Sequence, residues 1–422
     1  MIISHKIELI PNNKAKTYFK KAFGCSRLAY NWGLAKWQEY YKQGIKKTYL
    51  DLKKEFNAIK KEQFPFVYEV SKYATQQPFI HLNLAFNKFF RDLKQGKLSY
   101  PKFKKKKDNQ GSFYLGGDII KFSTKNNKTY LKIPNLGKVK LREKLRFNGT
   151  INSVTISQKA NKYYASFSME ISDDEFHQTH KQALDSHQAL GIDMGLNSFV
   201  SLSNGLNIQA PKPLDKLTRK LKKIQRKLSK KIHPKTKGDT TKKSKNYFKQ
   251  SLKLSKIHQK IKNTRNDFLH KLTTILIRHY AYFGIENLNI QGMMKNHHLA
   301  KAISDVSFYE FKRMLTYKAG YYKRVVIEAD TFYPSSKQCF VCKSKKEKLM
   351  LSQRVYKCEN CGSILDRDYN AALNLQSLAQ EKVGLVQAEF TPEDLTALLD
   401  DLATNHLVTS KVETGIQQKS YL

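Results

Sequence analysis

The chain has 422 residues and carries 77 Lys and Arg against 35 Asp and Glu, a formal charge of +42. That length predicts two or three domains, and 24 Phe with 23 Tyr can fill real cores. The charge makes polyanions, nucleic acid first, the expected partner. The absence of an uncharged run of about 18 residues argues against a membrane partner or span. Met1–Lys6 lacks the apolar core of a signal peptide, so a cytoplasmic protein is expected.

Residues 1–10 alternate Ile3, His5, Ile7 and Leu9 before Pro11 and predict a strand. A helical pattern follows through Ala15, Tyr18, Phe19, Ala22 and Trp32, with Cys25 as a small core residue. A second helix is expected over Tyr49–Lys61. A third is expected over Gln77–Lys94, with Pro78 in its first turn. Its stripe of Phe79, Leu82, Phe86, Phe89 and Phe90 reads as packing. In Tyr100–Lys107, the residues Lys102, Phe103, Lys104, Lys105 and Lys106 interleave cations with an aromatic, which suits a nucleic-acid backbone with stacking points. Strand patterns run from 112 to 170, with a hairpin at Lys159-Ala160-Asn161-Lys162. With the N-terminal strand they would close a small β-barrel, and the helices of 12–95 would be an insertion into it. Residues 171–188 read as a polar linker.

The second half opens with Ala189-Leu190-Gly191-Ile192-Asp193-Met194, an apolar run carrying one acid. Such an acid is costly to bury without a partner, and a hard divalent cation is a usual one. Asn204-Gly205 signals a hairpin between strands 198–203 and 206–208. Two long basic helices are expected over 212–232 and 246–280, joined by a charged loop at 230–238 that could line a duplex or hybrid. Tyr282-Phe283-Gly284-Ile285-Glu286 repeats the theme of one acid in an apolar run. Residues 291–302 look irregular, and a helix near 306–320 and a strand at Val325–Glu328 follow. The resulting β-β-β-α-β-α-β order is that of an RNase H-like fold.

Cys339-Phe340-Val341-Cys342 and, fifteen residues later, Cys358-Glu359-Asn360-Cys361 form two knuckles spaced for tetrahedral zinc. Four thiolates make a closed site, so its expected role is structural. Asp366-Arg367-Asp368 then opens an Ala- and Leu-rich helix, where one of the two acids could serve as a cap. Asp193, Glu286 and Asp368 could converge as ligands of two Mg²⁺ ions for phosphodiester cleavage.

Gly191-Ile192-Asp193-Met194-Gly195, Gly284-Ile285-Glu286-Asn287-Leu288, Pro334–Cys339, the two Cys pairs and Asp366–Ala372 resemble the TnpB family in order and spacing. These are RNA-guided endonucleases of insertion sequences, also known as OrfB-type transposases. Gly24–Trp32 and Pro101–Lys106 look similar too. The resemblance covers about residues 1–380. It implies an α/β plus α+β chain: a RuvC-like (RNase H-like) nuclease domain at 188–332 and 363–380, with a zinc finger at 333–362. Before it would come a β-barrel wedge domain at 1–11 and 97–175, with a helical recognition domain at 12–96 inserted. The family's three catalytic acids fall on Asp193, Glu286 and Asp368. The implied partners are a guide RNA from the same element and target double-stranded DNA beside a short flanking motif, with the protein a monomer on its RNA. Two alternatives remain open: a guided repressor that does not cut, and a transposase that joins DNA ends directly. Residues 381–422, rich in acids, are expected to be a flexible tail.

Overall fold

Alternation along β1 (Ile2–Ile10) buries Ile3, His5, Ile7 and Leu9 on one face. The computed structural model describes residues 1–106, 110–180, 183–184, 186–236, 238–350, 352–384 and 392–412. The expectations at Lys107 and Lys237, and those for the tail at 385–391 and 413–422, lie outside the described residues. The chain divides into two units: residues 1–181 with 227–256, and residues 182–226 with 257–422.

In the first unit, α1 (Asn13–Lys42), α2 (Tyr49–Gln63) and α3 (Tyr73–Leu93) follow β1. The strands are β2 (Gln110–Gly116), β3 (Lys121–Lys125), β4 (Lys128–Ile133), β5 (Gly137–Leu141), β6 (Thr150–Lys159) and β7 (Lys162–Glu170). Among the described residues they form one antiparallel sheet of order β2-β6-β7-β1-β5-β4-β3. The edge strands β2 and β3 are joined only by a 3-10 turn, Gly117–Ile119, and Phe122 of β3 meets Phe167 of β7 at 5.7 Å between ring centres. The sheet therefore rolls up, as a barrel requires. The β6–β7 turn places Ala160 and Asn161 at φ +46° and +70°, a primed hairpin.

The helices form their own core, in which Leu34, Leu52, Phe56, Phe79, Leu82 and Phe86 are buried. Phe90, expected in that stripe, is 48% exposed. The third helix starts four residues earlier than expected, which moves Pro78 out of its first turn. Residues 171–188 are not wholly a linker: Ser172 caps a short helix, α4 (Asp173–Thr179), whose Phe176 is buried.

The second unit carries β8 (Ala189–Met194), β9 (Val200–Leu202), β10 (Leu206–Ile208), α5 (Pro213–Ser229), α6 (Lys245–His279), β11 (Tyr282–Ile285), α7 (Ile290–Met293), α8 (His297–Val306), α9 (Phe308–Tyr321) and β12 (Val325–Glu328). It ends with β13 (Val355–Lys357), β14 (Ile364–Asp366), α10 (Arg367–Val383), α11 (Pro392–Thr404) and β15 (Thr409–Lys411). The tip of the α5–α6 hairpin, 227–256, belongs to the first unit. The main sheet has the order β12-β11-β8-β9-β10-β15. β8, β9 and β10 are antiparallel neighbours, and β11 and β12 run parallel to β8, which is the RNase H-like arrangement.

Two expectations fail in this unit. The stretch 291–302 is largely helical, because Asn289 and Asn296 cap α7 and α8. Asp305 of α8 accepts the backbone N–H groups of Leu214 and Asp215 at 3.0 Å each, capping α5 from outside, and pairs with Arg265. The tail from 392 to 412 is also ordered. β15 extends the sheet along β10, Leu398, Leu402 and Leu407 are buried, and Asp401 pairs with Arg278 and His279. Burial of those leucines, together with the pairing of β15 along β10, outweighs the acidic composition that reads as a tail. Among the described residues no helix is long and apolar enough to cross a membrane.

Candidate active site

Two Gly-Ile-acid triplets form the floor of the site. Gly191 pairs with Gly284 and Ile192 with Ile285 across the parallel strands β8 and β11, so Asp193 and Glu286 leave the sheet side by side. Gly191 and Asp193 lie on one face of β8, and α10 crosses that face. A Cβ on Gly191 would lie 1.8 Å from the Ala372 carbonyl oxygen, and one on Gly284 2.0 Å from that of Leu375. Only glycine lets the helix lie this close. Gln376 further along α10 donates to the Ala189 carbonyl at 3.1 Å, so the helix runs back along β8 and its N-terminus lies over Asp193.

Asp366 and Asp368 divide two tasks at that N-terminus. Asp366 is the cap, its Oδ1 accepting from the N–H groups of Asp368 and Tyr369 at 3.0 and 2.9 Å. Asp368 is thereby left for the site. Burial, then Glu286, then Asp368 push the Asp193 carboxyl well above the usual carboxylate range, against a smaller opposing pull from Arg367. Asp193 and Glu286 are within hydrogen-bonding reach of each other. The Asp368 carboxyl is also raised, by burial and then by Asp366, with Arg354 at 3.7 Å opposing. Asp193 and Glu286 stand side by side at the carboxyl ends of β8 and β11 and repel one another, and the Asp368 charge adds to what Asp193 feels; hard divalent cations take oxygen donors of this kind.

Ser335 Oγ donates to Glu286 Oε1 at 2.6 Å. The segment that carries Ser335 is fastened to α10 by two fully buried asparagines. Asn370 accepts from the Phe340 N–H at 2.9 Å and donates to the Gln338 carbonyl at 2.8 Å. Asn374 donates to the carbonyls of Ser335 and Gln338 at 2.9 and 2.7 Å. No role for these residues was read from the sequence. The available signal was a pair of amides four apart on a helix face otherwise built of Ala and Leu.

The cysteine site is adjacent in the chain. The ligand atoms of Cys339, Cys342, Cys358 and Cys361 all lie within 4.8 Å of one another. The Cys339–Cys361 and Cys342–Cys358 sulfur pairs are 3.7 and 3.5 Å apart, close to the edge of about 3.8 Å expected for a Zn–S₄ tetrahedron. Each knuckle folds alike: the N–H groups of Cys339 and Cys358 donate to the carbonyls of Ser344 and Ser363, both at 2.8 Å. A hydrogen bond from Asn360 pulls the Cys342 thiol down to about 6, while burial pushes Cys358 up to about 12. The cluster fits zinc.

The basic loop lies in the first unit. Asn31 of α1 grips the Lys104 backbone with both side-chain atoms, at 2.8 and 2.9 Å, and the Lys104 ammonium lies 3.8 Å from the centre of the Tyr30 ring. Burial pulls the Lys104 amine down, so this residue anchors the loop. Lys102, Phe103, Lys104, Lys105 and Lys106 are all exposed, and Pro101 is buried.

Residues 166–297 match a family described as "Probable transposase" (OrfB of the IS605 type), 308–375 a Cas12f1-like TNB domain, and 1–46 a helix-turn-helix domain, although here those 46 residues form a strand and one long helix. A protein of Streptomyces pristinaespiralis named "Putative RNA-guided DNA endonuclease" is 33% identical over 374 residues, covering 88% of this chain and 87% of the relative. InsQ of Escherichia coli K12, named in the same way, is 27% identical, covering 88% of this chain and 90% of its own. Among solved structures, the Cas12f1 chain of a cryo-EM complex with sgRNA and target DNA matches with a TM-score of 0.54 at 14% identity, over 87% of this chain and 83% of that one.

Proposed function

The chain belongs to the TnpB family of RNA-guided DNA endonucleases, and on that premise we propose that it cuts target DNA matched to a guide RNA from its own insertion sequence. The observation that supports this reading is the in-register pairing of two Gly-Ile-acid triplets beside α10, with the Asp193 carboxyl raised by both Glu286 and Asp368. These three would hold Mg²⁺, which when bound activates water and stabilises the leaving oxygen of a phosphodiester. Ser335 holds the Glu286 carboxylate by donating to one of its oxygens. The α10 N-terminus favours negative charge near Asp368. Lys102, Phe103, Lys104, Lys105 and Lys106 supply contacts to the nucleic-acid backbone, on a loop whose Lys104 backbone is held by Asn31. Cys339, Cys342, Cys358 and Cys361 would hold zinc, which when bound would fix the segment that presents Ser335. The protein acts as a monomer on its RNA, in the cytoplasm at the nucleoid. Retention of all three acids favours cutting over a guided repressor.

The test uses the full chain with the RNA that co-purifies with it, and matched double-stranded DNA carrying a library of flanking sequences, in Mg²⁺. Cleavage beside one flanking motif is expected. Asp193→Ala should abolish it while RNA binding persists. Wild-type complex that never cuts matched DNA would end this reading. Joining of element ends without RNA would replace it with direct transposition.

A further inference from the structure

Phe332 is 95% exposed and makes no ring contact or cation–π contact among the described residues. An apolar ring left so fully in water gains nothing for folding. Its neighbours are held firmly. Ala329 N–H donates to the Ile285 carbonyl at 2.9 Å, which continues the β12–β11 pairing right beside Glu286. Tyr333 N–H closes a turn on the Asp330 carbonyl at 2.9 Å, with Phe332 at its third position. The Tyr333 hydroxyl donates to the Asn374 carbonyl at 3.2 Å, and Ser335 donates to Glu286. A fixed turn therefore presents one bare aromatic ring at the end of the sheet where Asp193 and Glu286 emerge. Cations line the same end. Lys312 contacts Asn287 and Glu328, and Arg354 lies 3.7 Å from Asp368.

We infer that Phe332 is a stacking platform that positions an unpaired nucleotide of the cut strand beside the carboxylates. The inference rests on the nuclease reading above and adds a substrate form to it. Bases within a duplex already stack on one another, so a lone exposed ring has a free base face to take only where the strand is single. Nearby cations suit the phosphates on either side of that base. Phe332 is a positioning residue here, since it offers a π-face but no proton, charge or metal donor.

The test places 2-aminopurine at successive positions of a single-stranded DNA and binds each to the Asp193→Ala protein with its RNA. One or two positions should lose fluorescence on binding. Phe332→Ala should restore the signal there, Phe332→Leu should restore it as well, and Phe332→Trp should keep it quenched. With Asp193 intact, single-turnover cutting should fall about tenfold or more in Phe332→Ala, in line with the loss of one base–aromatic stack. Phe332→Tyr should cut like wild type. Melting temperature and zinc content should not change, because the ring is almost fully exposed. The inference is overturned if Phe332→Ala cuts at the wild-type rate. It is also overturned if cutting falls but no position changes its fluorescence, which would make the ring a docking point for another protein. Failure of the wild type to cut any matched DNA would sink the nuclease reading instead, while the fluorescence series would still report on stacking.

Discussion

The four cysteines lie within residues 339–361, whereas the three carboxylates are drawn from positions 193, 286 and 368. Each knuckle is closed by its own backbone, with a Cys N–H to Ser carbonyl bond of 2.8 Å repeated in both. The carboxylate site has no such local scaffold. As proposed, it depends on the register of β8 with β11 and on α10 lying within backbone contact of Gly191 and Gly284. One site is built by short-range turns and the other by the packing of the whole sheet. Asn370 and Asn374 join them by tying the approach to the first knuckle onto the helix that carries Asp368. Damage to the local site should therefore reach the distant one through two amides.

The largest effect should come from removing zinc. Structural zinc in small Cys-rich modules contributes an apparent binding energy of about 10–16 kcal/mol. Chelation, or Cys339→Ser with Cys358→Ser, should open 334–363 and leave the main sheet folded. Hydrogen exchange should rise across the knuckles and next around Ser335 and the first turn of α10. Cleavage should drop with it. If exchange at α10 is unchanged, the two sites are not coupled.

Next in size is Gly191→Ala. Its Cβ would fall 1.8 Å from a backbone oxygen, so either helix or strand must shift. A destabilisation of about 3 kcal/mol is expected, read as a lowered denaturant midpoint, with loss of cutting as Asp368 moves. Gly362→Ala is the counterpart in the cysteine site. There φ is +71° and nothing lies within 4 Å of the new Cβ, so only a left-handed backbone cost of about 1 kcal/mol is expected. Equal costs at the two glycines would contradict the local-versus-global distinction.

This difference also decides how much of the molecule was legible in its sequence. The knuckles could be read because Cys-x-x-Cys states its own geometry. The β8 and β11 triplets could be read because an acid after Gly-Ile in an apolar run is conspicuous. What could not be read was why those glycines are there, since the contact that demands them comes from a helix nearly a hundred residues beyond Gly284. Asp366 and Asp368 looked equivalent in one dimension, and only the cap bonds to Asp366 separate them. The order of 392–412 is not legible in the sequence because it depends on β15 finding the edge of β10, some two hundred residues earlier, and on tertiary burial of Leu398 and Leu402. The grip of Asn31 on Lys104 joins residues more than seventy apart and leaves no periodicity to detect.

Asn374→Ala should have a smaller and more selective effect. It leaves the buried carbonyls of Ser335 and Gln338 without one donor, at a cost of about 1–3 kcal/mol. Zinc content should stay at the wild-type level, because no knuckle bond is touched. Cutting should fall about tenfold, the scale of outer-shell changes at metal sites. Loss of zinc in this variant would mean that the helix supports the knuckles, and not the reverse.

The smallest expected effect on stability is the most direct probe of the carboxylate cluster. Burial, then Glu286, then Asp368 raise Asp193 above its usual value of 3.8. Without metal, the folded protein thus binds more protons than the unfolded chain as pH rises above 3.8. By linkage, this group's contribution to stability falls with pH through that window, since charging Asp193 beside two other acids is unfavourable. Asp193→Asn removes the charge and keeps the shape, so it should raise the metal-free melting temperature at neutral pH by a few degrees while ending cleavage. A cation that neutralises the cluster does the same for the wild type, so Mg²⁺ should raise the wild-type melting temperature and leave Asp193→Asn nearly unmoved. Zinc chelation followed by Mg²⁺ should not restore the knuckles, because four thiolates prefer a softer ion than Mg²⁺. A wild type whose melting ignores both pH and Mg²⁺ would mean that the three carboxylates do not share one cation-binding site.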